Sequence, residues 1–85
     1  RYHGVTSYQK NGRTIYVSKI HINGDVIVGK FSTEVEAAVA YNKAASYLKS
    51  KGSMKNYPEN YILELTPEQY NDLYQQIKLK TDHLS

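Results

Sequence analysis

Val17–Ala45, VSKIHINGDVIVGKFSTEVEAAVAYNKAA, is the stretch that decides the fold. Its first half alternates. Tyr16, Ser18, Ile20 and Ile22 fall on one side of an extended chain, and Ile15, Val17, Lys19 and His21 on the other. Asn23-Gly24 is a hairpin signal, because both residues tolerate the positive φ of a two-residue turn. Asp25–Phe31 alternates again, with Val26 and Val28 on one face and Ile27 on the other. The period then changes. Thr33 with Glu36 is the signature of a helix start, and Glu34 and Glu36 suit the positive end of the helix dipole. Ala37, Ala38, Tyr41, Ala44, Ala45 and Leu48 make an apolar stripe at helical spacing. The alanines allow the helix to lie close on a sheet. Gly52 is a stop signal. A helix covering one sheet face leaves the other bare, and function is expected on the bare face.

Working outward, Tyr2–Tyr8 reads as a first strand with Val5 pointing inward, and Lys10-Asn11-Gly12 as a hairpin turn. Thr14–Ile22 is the predicted second strand, rich in β-branched and aromatic residues. Ser53–Glu64 reads as loop or partly extended chain. A second helix is expected after it. Thr66 is the cap, Pro67 occupies the first position, Gln69 completes a capping box, and Leu65 and Tyr70 are spaced as a hydrophobic staple. Tyr70, Leu73, Tyr74 and Ile77 give it one apolar stripe, to dock on the first helix or on the sheet edge or to bind a partner. The expected architecture is α+β: a three-stranded antiparallel sheet packed on one α-helix over residues 1–60, with a C-terminal helical extension over 61–85.

The chain has 85 residues and no cysteine, so neither a disulfide framework nor a thiolate metal site is available. No apolar run is long enough to span a membrane, and no signal-peptide pattern opens the chain. Arg1 reads as a cut within a longer protein. The net charge of +3 is unevenly spread: residues 1–30 carry +4 and residues 31–85 carry −1. A basic strand region suits a polyanion, and also suits an ordinary solvated surface. Nine tyrosines accompany one Phe and no Trp; most are expected in the core, although tyrosine also stacks on bases.

The residues of catalysis are not gathered. His3, His21 and His83 fall in separate elements, none at metal-ligand spacing. There is no nucleophile elbow and no glycine-rich phosphate loop. Binding, with no catalysis, no cofactor and no small-molecule substrate, is the expectation.

Four segments carry a resemblance. Tyr2-His3-Gly4-Val5 is similar to the YRGV opening of the Apetala-two / ethylene-response-factor (ERF) DNA-binding domain. Gly29-Lys30-Phe31-Ser32-Thr33-Glu34 resembles its LG-x-F-x-T corner, and Glu36–Ala45 its EEAAxAYDxAA helix. Asn56-Tyr57-Pro58 resembles its closing LNFP. The resemblance covers about residues 1–60, and the helix is its most specific part. It implies a sheet laid in the major groove of double-stranded DNA, with arginines and tryptophans of the open face on bases and phosphates. At the corresponding places this chain has His3 followed by Gly4, then Thr6 and Tyr8 in the first strand. Arg13 stands near a tryptophan position after a hairpin about three residues longer. Lys19 and His21 replace a glutamate and an arginine. Asp25 and Ile27 replace an arginine and a tryptophan, and Lys30 replaces a threonine.

Most base-reading arginines are therefore replaced. Arginine on guanine is the commonest specific contact, so the family's GC-rich target does not carry over. Thr6, Ile15, Val17 and Ile27 suit thymine methyl groups, and an AT-containing site is expected. Lys10, Arg13, Lys19 and Lys30 suit phosphates, which position without specifying, and His21 suits either. Tyr8 is a further candidate. The resemblance implies a sequence-specific DNA-binding domain, monomeric in isolation. Its setting would be an intracellular transcription regulator or mobile-element nuclease, in the nucleus or the nucleoid. Two alternatives stand. One is an integrase-type arm-binding domain with the same three-strand-plus-helix plan. The other is a protein-interaction module that has lost DNA binding, suggested by the arginine-poor face and the extra amphipathic helix.

Overall fold

The computed structural model describes residues 2–22, 24–52 and 57–77. Arg1, Asn23 of the second turn, Asn56 of the closing segment, residues 78–85 of the extension and His83 lie outside them. The elements are β1 (Val5–Lys10), β2 (Arg13–His21), β3 (Asp25–Phe31), α1 (Glu34–Ser50) and α2 (Pro67–Gln76). The fold is α+β: one antiparallel sheet in the order β1-β2-β3, covered on one face by α1, with α2 beyond it.

The strands differ in detail from the sequence expectation. β1 begins at Val5, not Tyr2, because Gly4 turns the chain with φ +74. It runs on to Lys10, since Asn11 (φ 51) and Gly12 (φ 76) take the whole turn themselves. β2 accordingly starts at Arg13, one residue early, and ends at His21. β3 matches its expected limits, but its pairing with β2 is interrupted. Ser18 faces Gly29 while Lys19 faces Ile27, so Val28 is an extra residue on β3. This β-bulge changes which residues share a face. Val26, Val28 and Phe31 pack with the helix side, and Asp25, Ile27 and Lys30 lie on the other. Simple alternation would have put Lys30 with Val26 and Val28.

α1 forms where its signals stand. Thr33 caps it and Gly52, with φ +84, follows its last turn. The first turn is not a full capping box. The Thr33 hydroxyl oxygen accepts from the Glu36 N–H (3.2 Å), but the Glu36 carboxylate receives the Thr33 and Ser32 hydroxyls (2.8 and 3.3 Å) instead of a backbone N–H. Ala37, Ala38, Val39, Ala40 and Ala44 are wholly buried, and Tyr41, Ala45 and Leu48 nearly so. Three of those alanines, Ala40, Ala44 and Ala45, let the helix approach Ile20 and Val28 closely, which places main chain and small side chains in the helix–sheet layer.

Ser18 sits in that layer, fully buried between Val5 and Gly29, and its hydroxyl is the one buried side-chain polar atom without a partner among the described residues. Such a group costs free energy on folding. Ser18→Ala is therefore expected to raise stability by about 1 kcal/mol, read as a higher urea midpoint at unchanged slope. A lower midpoint would show that the hydroxyl is satisfied.

α2 has both halves of its capping box, between Thr66 and Gln69. It docks on α1, not on the sheet edge. Leu65, Tyr70, Leu73, Tyr74 and Ile77 pack into the same core as α1. Lys43 of α1 closes the join: its ammonium donates to the carbonyls of Tyr74 (2.7 Å) and Ile77 (2.5 Å), where the helix dipole is negative.

Two asparagines tie the turn before β1 and the segment before α2 to α1. The Asn42 amide donates to the Asn60 carbonyl (2.9 Å) and accepts from the Asn60 N–H (2.7 Å). The Asn60 side chain does the same for His3, accepting from its N–H (2.6 Å) and donating to its carbonyl (3.0 Å). Asn42 also donates to the Tyr70 hydroxyl at 3.1 Å. Burial raises the phenols of Tyr41 and Tyr70 above their ordinary value, so both stay neutral. Among the described residues, no helix is long and apolar enough to cross a membrane.

Candidate nucleic-acid interface

The sheet face away from α1 follows from the register. β1 pairs Thr6 with Val17, Tyr8 with Ile15 and Lys10 with Arg13; β3 sets Lys30 against Val17, Ile27 against Lys19 and Asp25 against His21. Antiparallel partners share a face. Ten of the twelve residues singled out in the sequence thus lie together: Thr6, Tyr8, Lys10, Arg13, Ile15, Val17, Lys19, His21, Ile27 and Lys30. Asp25 joins them as the face's one carboxylate. Lys10 and Arg13 stand at the hairpin end, Lys30 beside Val17 in the middle row and Lys19 one row further on, with His21 and Asp25 at the far end and apolar side chains interspersed.

The other two candidates are held elsewhere. Gly4 lies in the turn before β1, under the ring of Tyr41. A Cβ there would overlap the ring edge and stand 2.5 Å from the Lys19 carbonyl. The need for glycine is thereby explained by packing, without a ligand. The His3 side chain is exposed in the same turn, and its main chain is anchored by Asn60.

Val17 requires a correction as a contact residue. It is on the open face and outside the helix-side cluster, yet only 4% exposed. It lies on the central strand between Thr6 and Lys30, so its methyls serve as floor and are closed to a ligand. Ile15 is half-buried opposite Tyr8. The apolar groups available to a ligand are Tyr8 (40% exposed) and Ile27 (48%), with the Thr6 methyl exposed on β1.

Two contacts organise this surface. The Lys30 ammonium lies 5.9 Å from the Tyr8 ring centre, reaching across β2, a cation–π arrangement. His21 Nδ1 is 3.5 Å from Asp25 Oδ1 with both side chains well exposed. That pair adds little stability, but it sets Asp25 beside the His21 imidazole at the far end of the face. The end of β2 is fixed from behind, where the Tyr57 hydroxyl donates to the His21 carbonyl at 2.9 Å. Substituting the His21 side chain leaves that bond available.

Sequence reading passed over one surface. Tyr61 and Leu63 are 82% and 80% exposed on the segment before α2, around a cavity they share with Tyr2 and His3. The signal was present in Tyr61-Ile62-Leu63: three apolar residues in extended chain cannot all point inward. Among the described residues, no three His, Cys, Asp or Glu side chains gather as metal ligands would.

No protein-family model, no curated protein and no solved structure matches this chain.

Proposed function

We propose that this chain is a non-catalytic, sequence-specific binder of double-stranded DNA, laying the open face of β1-β2-β3 in the major groove. The observation that carries this reading is the charge on that face: Lys10, Arg13, Lys19 and Lys30 against the single carboxylate of Asp25, on the face that α1 leaves bare. Two inter-strand spacings make the sheet about 10 Å wide between its outer strands, and the B-DNA major groove is about 12 Å wide. Lys10 on β1 and Lys30 on β3, the two outer strands, suit the phosphates of the two groove walls. The resemblance of the α1 segment and its corner to the ERF domain points the same way. The parent protein would be a transcription regulator or a mobile-element nuclease, acting in the nucleus or on a bacterial or phage nucleoid, with this domain binding as a monomer.

The test is binding to random-sequence and selected duplexes over a range of salt. Four phosphate-contacting cations give a log–log salt slope of about −3 to −4, at roughly −0.9 per contact. Lys19→Ala with His21→Ala is expected to lower affinity about tenfold or more and flatten the slope by about one, with the unfolding midpoint unchanged. Unaltered affinity in that double variant would remove the sheet face as the binding surface. A second reading is favoured by Tyr61 and Leu63, whose exposure suits protein contact. A domain that retains no duplex at low salt would be a protein-interaction module instead.

A further inference from the structure

The open face has the means to hold phosphates but few means to read guanine. Its one guanidinium, Arg13, is at the hairpin end. What stands nearer the middle is apolar, and it stands in single groups. Ile27, about half exposed, faces Lys19 across β2–β3, with the His21–Asp25 pair next along the strands. Tyr8, also exposed, lies beside Lys30. Lysine is depleted from the cores of protein interfaces, so apolar groups separated by lysines suit such a core poorly. They suit a groove whose rim is phosphate and whose floor offers isolated methyl groups. In the major groove those are the 5-methyls of pyrimidines.

The bulge makes the arrangement possible. By turning Val28 into the core it leaves Ile27 and Lys30, three residues apart, on the same face. Bulges characteristically re-aim side chains in this way. We propose that Ile27 is the specificity-determining residue of this face and reads the 5-methyl group of a pyrimidine, thymine or 5-methylcytosine, while Lys19 and Lys30 hold the flanking phosphates. The inference rests on the DNA-binding reading above and adds to it the chemical group recognised.

The experiment begins with selection from a randomised duplex pool by the 85-residue chain. The enriched site is then remade with deoxyuridine for each thymine in turn, and with 5-methylcytosine for thymine (its partner changed to guanine). Affinities are measured by fluorescence anisotropy for wild type and for Ile27→Ala, with circular dichroism to verify folding. Removing one methyl is expected to weaken wild-type binding about three- to fivefold at one or two positions, the size of a lost methyl-sized apolar contact. At one of those positions 5-methylcytosine recovers more of the affinity than cytosine does. Ile27→Ala loses the thymine-over-uracil preference there while keeping the salt slope. Three results overturn the inference and leave DNA binding standing: a site insensitive to every thymine-to-uracil change, an unaltered preference in Ile27→Ala, or retention without any enriched sequence. No retention at any salt overturns both.

Discussion

Gly4→Ala is expected to destabilise the domain by about 2–5 kcal/mol, from a left-handed backbone cost of about 1–2 and overpacking of about 1–3. Gly4 has φ +74, a region where a Cβ crowds the next carbonyl. The same Cβ would enter the edge of the Tyr41 ring and approach the Lys19 carbonyl to 2.5 Å. A shift of the ring alone does not relieve the clash, because Lys19 is in the central strand and its N–H is bonded to the Gly4 carbonyl at 2.7 Å, so the main chain there is held from both sides. An 85-residue domain has roughly 4–13 kcal/mol in total, so a large part of the stability goes with one methyl group. Urea unfolding followed by circular dichroism reads the effect. A midpoint within about 0.5 kcal/mol of wild type would mean the turn can open without cost.

Tyr41→Ala is expected to cost about 3–5 kcal/mol, the range for removing a large aromatic side chain from a core. The ring is 6% exposed and touches the turn at Gly4. Its neighbours along the helix stripe are Ala37, Ala38, Ala44 and Ala45, too small to fill the space it leaves. In a domain of this size that corresponds to a fall in melting temperature of well over ten degrees. A fall of only about two degrees would show that the site collapses around the missing ring. The two substitutions share a contact, so their effects should not add. With the ring gone, Gly4→Ala retains its backbone strain and its clash with the Lys19 carbonyl but loses the clash with the ring. The double variant should be more stable than the sum predicts by about 1 kcal/mol or more. Strict additivity would place the cost of Gly4→Ala in the backbone alone.

The elements were legible because their signals are local. The Asn-Gly turn, the Thr33 and Thr66 caps, Pro67 and Gly52 act through a few neighbouring residues. The alternation of β2 and the α1 stripe report burial directly. Most of the candidate face was legible for the same reason, since side chains two apart on a strand share a side. The differences arose from local competition between hydrogen-bonding and turn options and from the approach of distant groups. The limits of β1 moved because Asn11 and Gly12 form the turn unaided and Gly4 bends the chain beneath Tyr41. Glu36 took hydroxyl partners where a backbone N–H was expected. Val17 has the parity of a contact residue, but its place between Thr6 and Lys30 on the central strand removes it from reach.

By itself, then, the amino-acid sequence determined the α+β class, the helix caps, the antiparallel meander and the separation of a basic strand region from the rest. These depend on periodicity, turn chemistry and charge, which are written along the chain. Only the tertiary structure decided that Val28 bulges and brings Lys30 to the open face, and that Gly4 serves the core. It also decided that α2 is held to α1 by Lys43, and that Asn42 and Asn60 join residues 3, 42 and 60. Each of these requires groups far apart in the chain to meet at contact distance, and a register or a close approach of that kind is set by packing, not by any local preference.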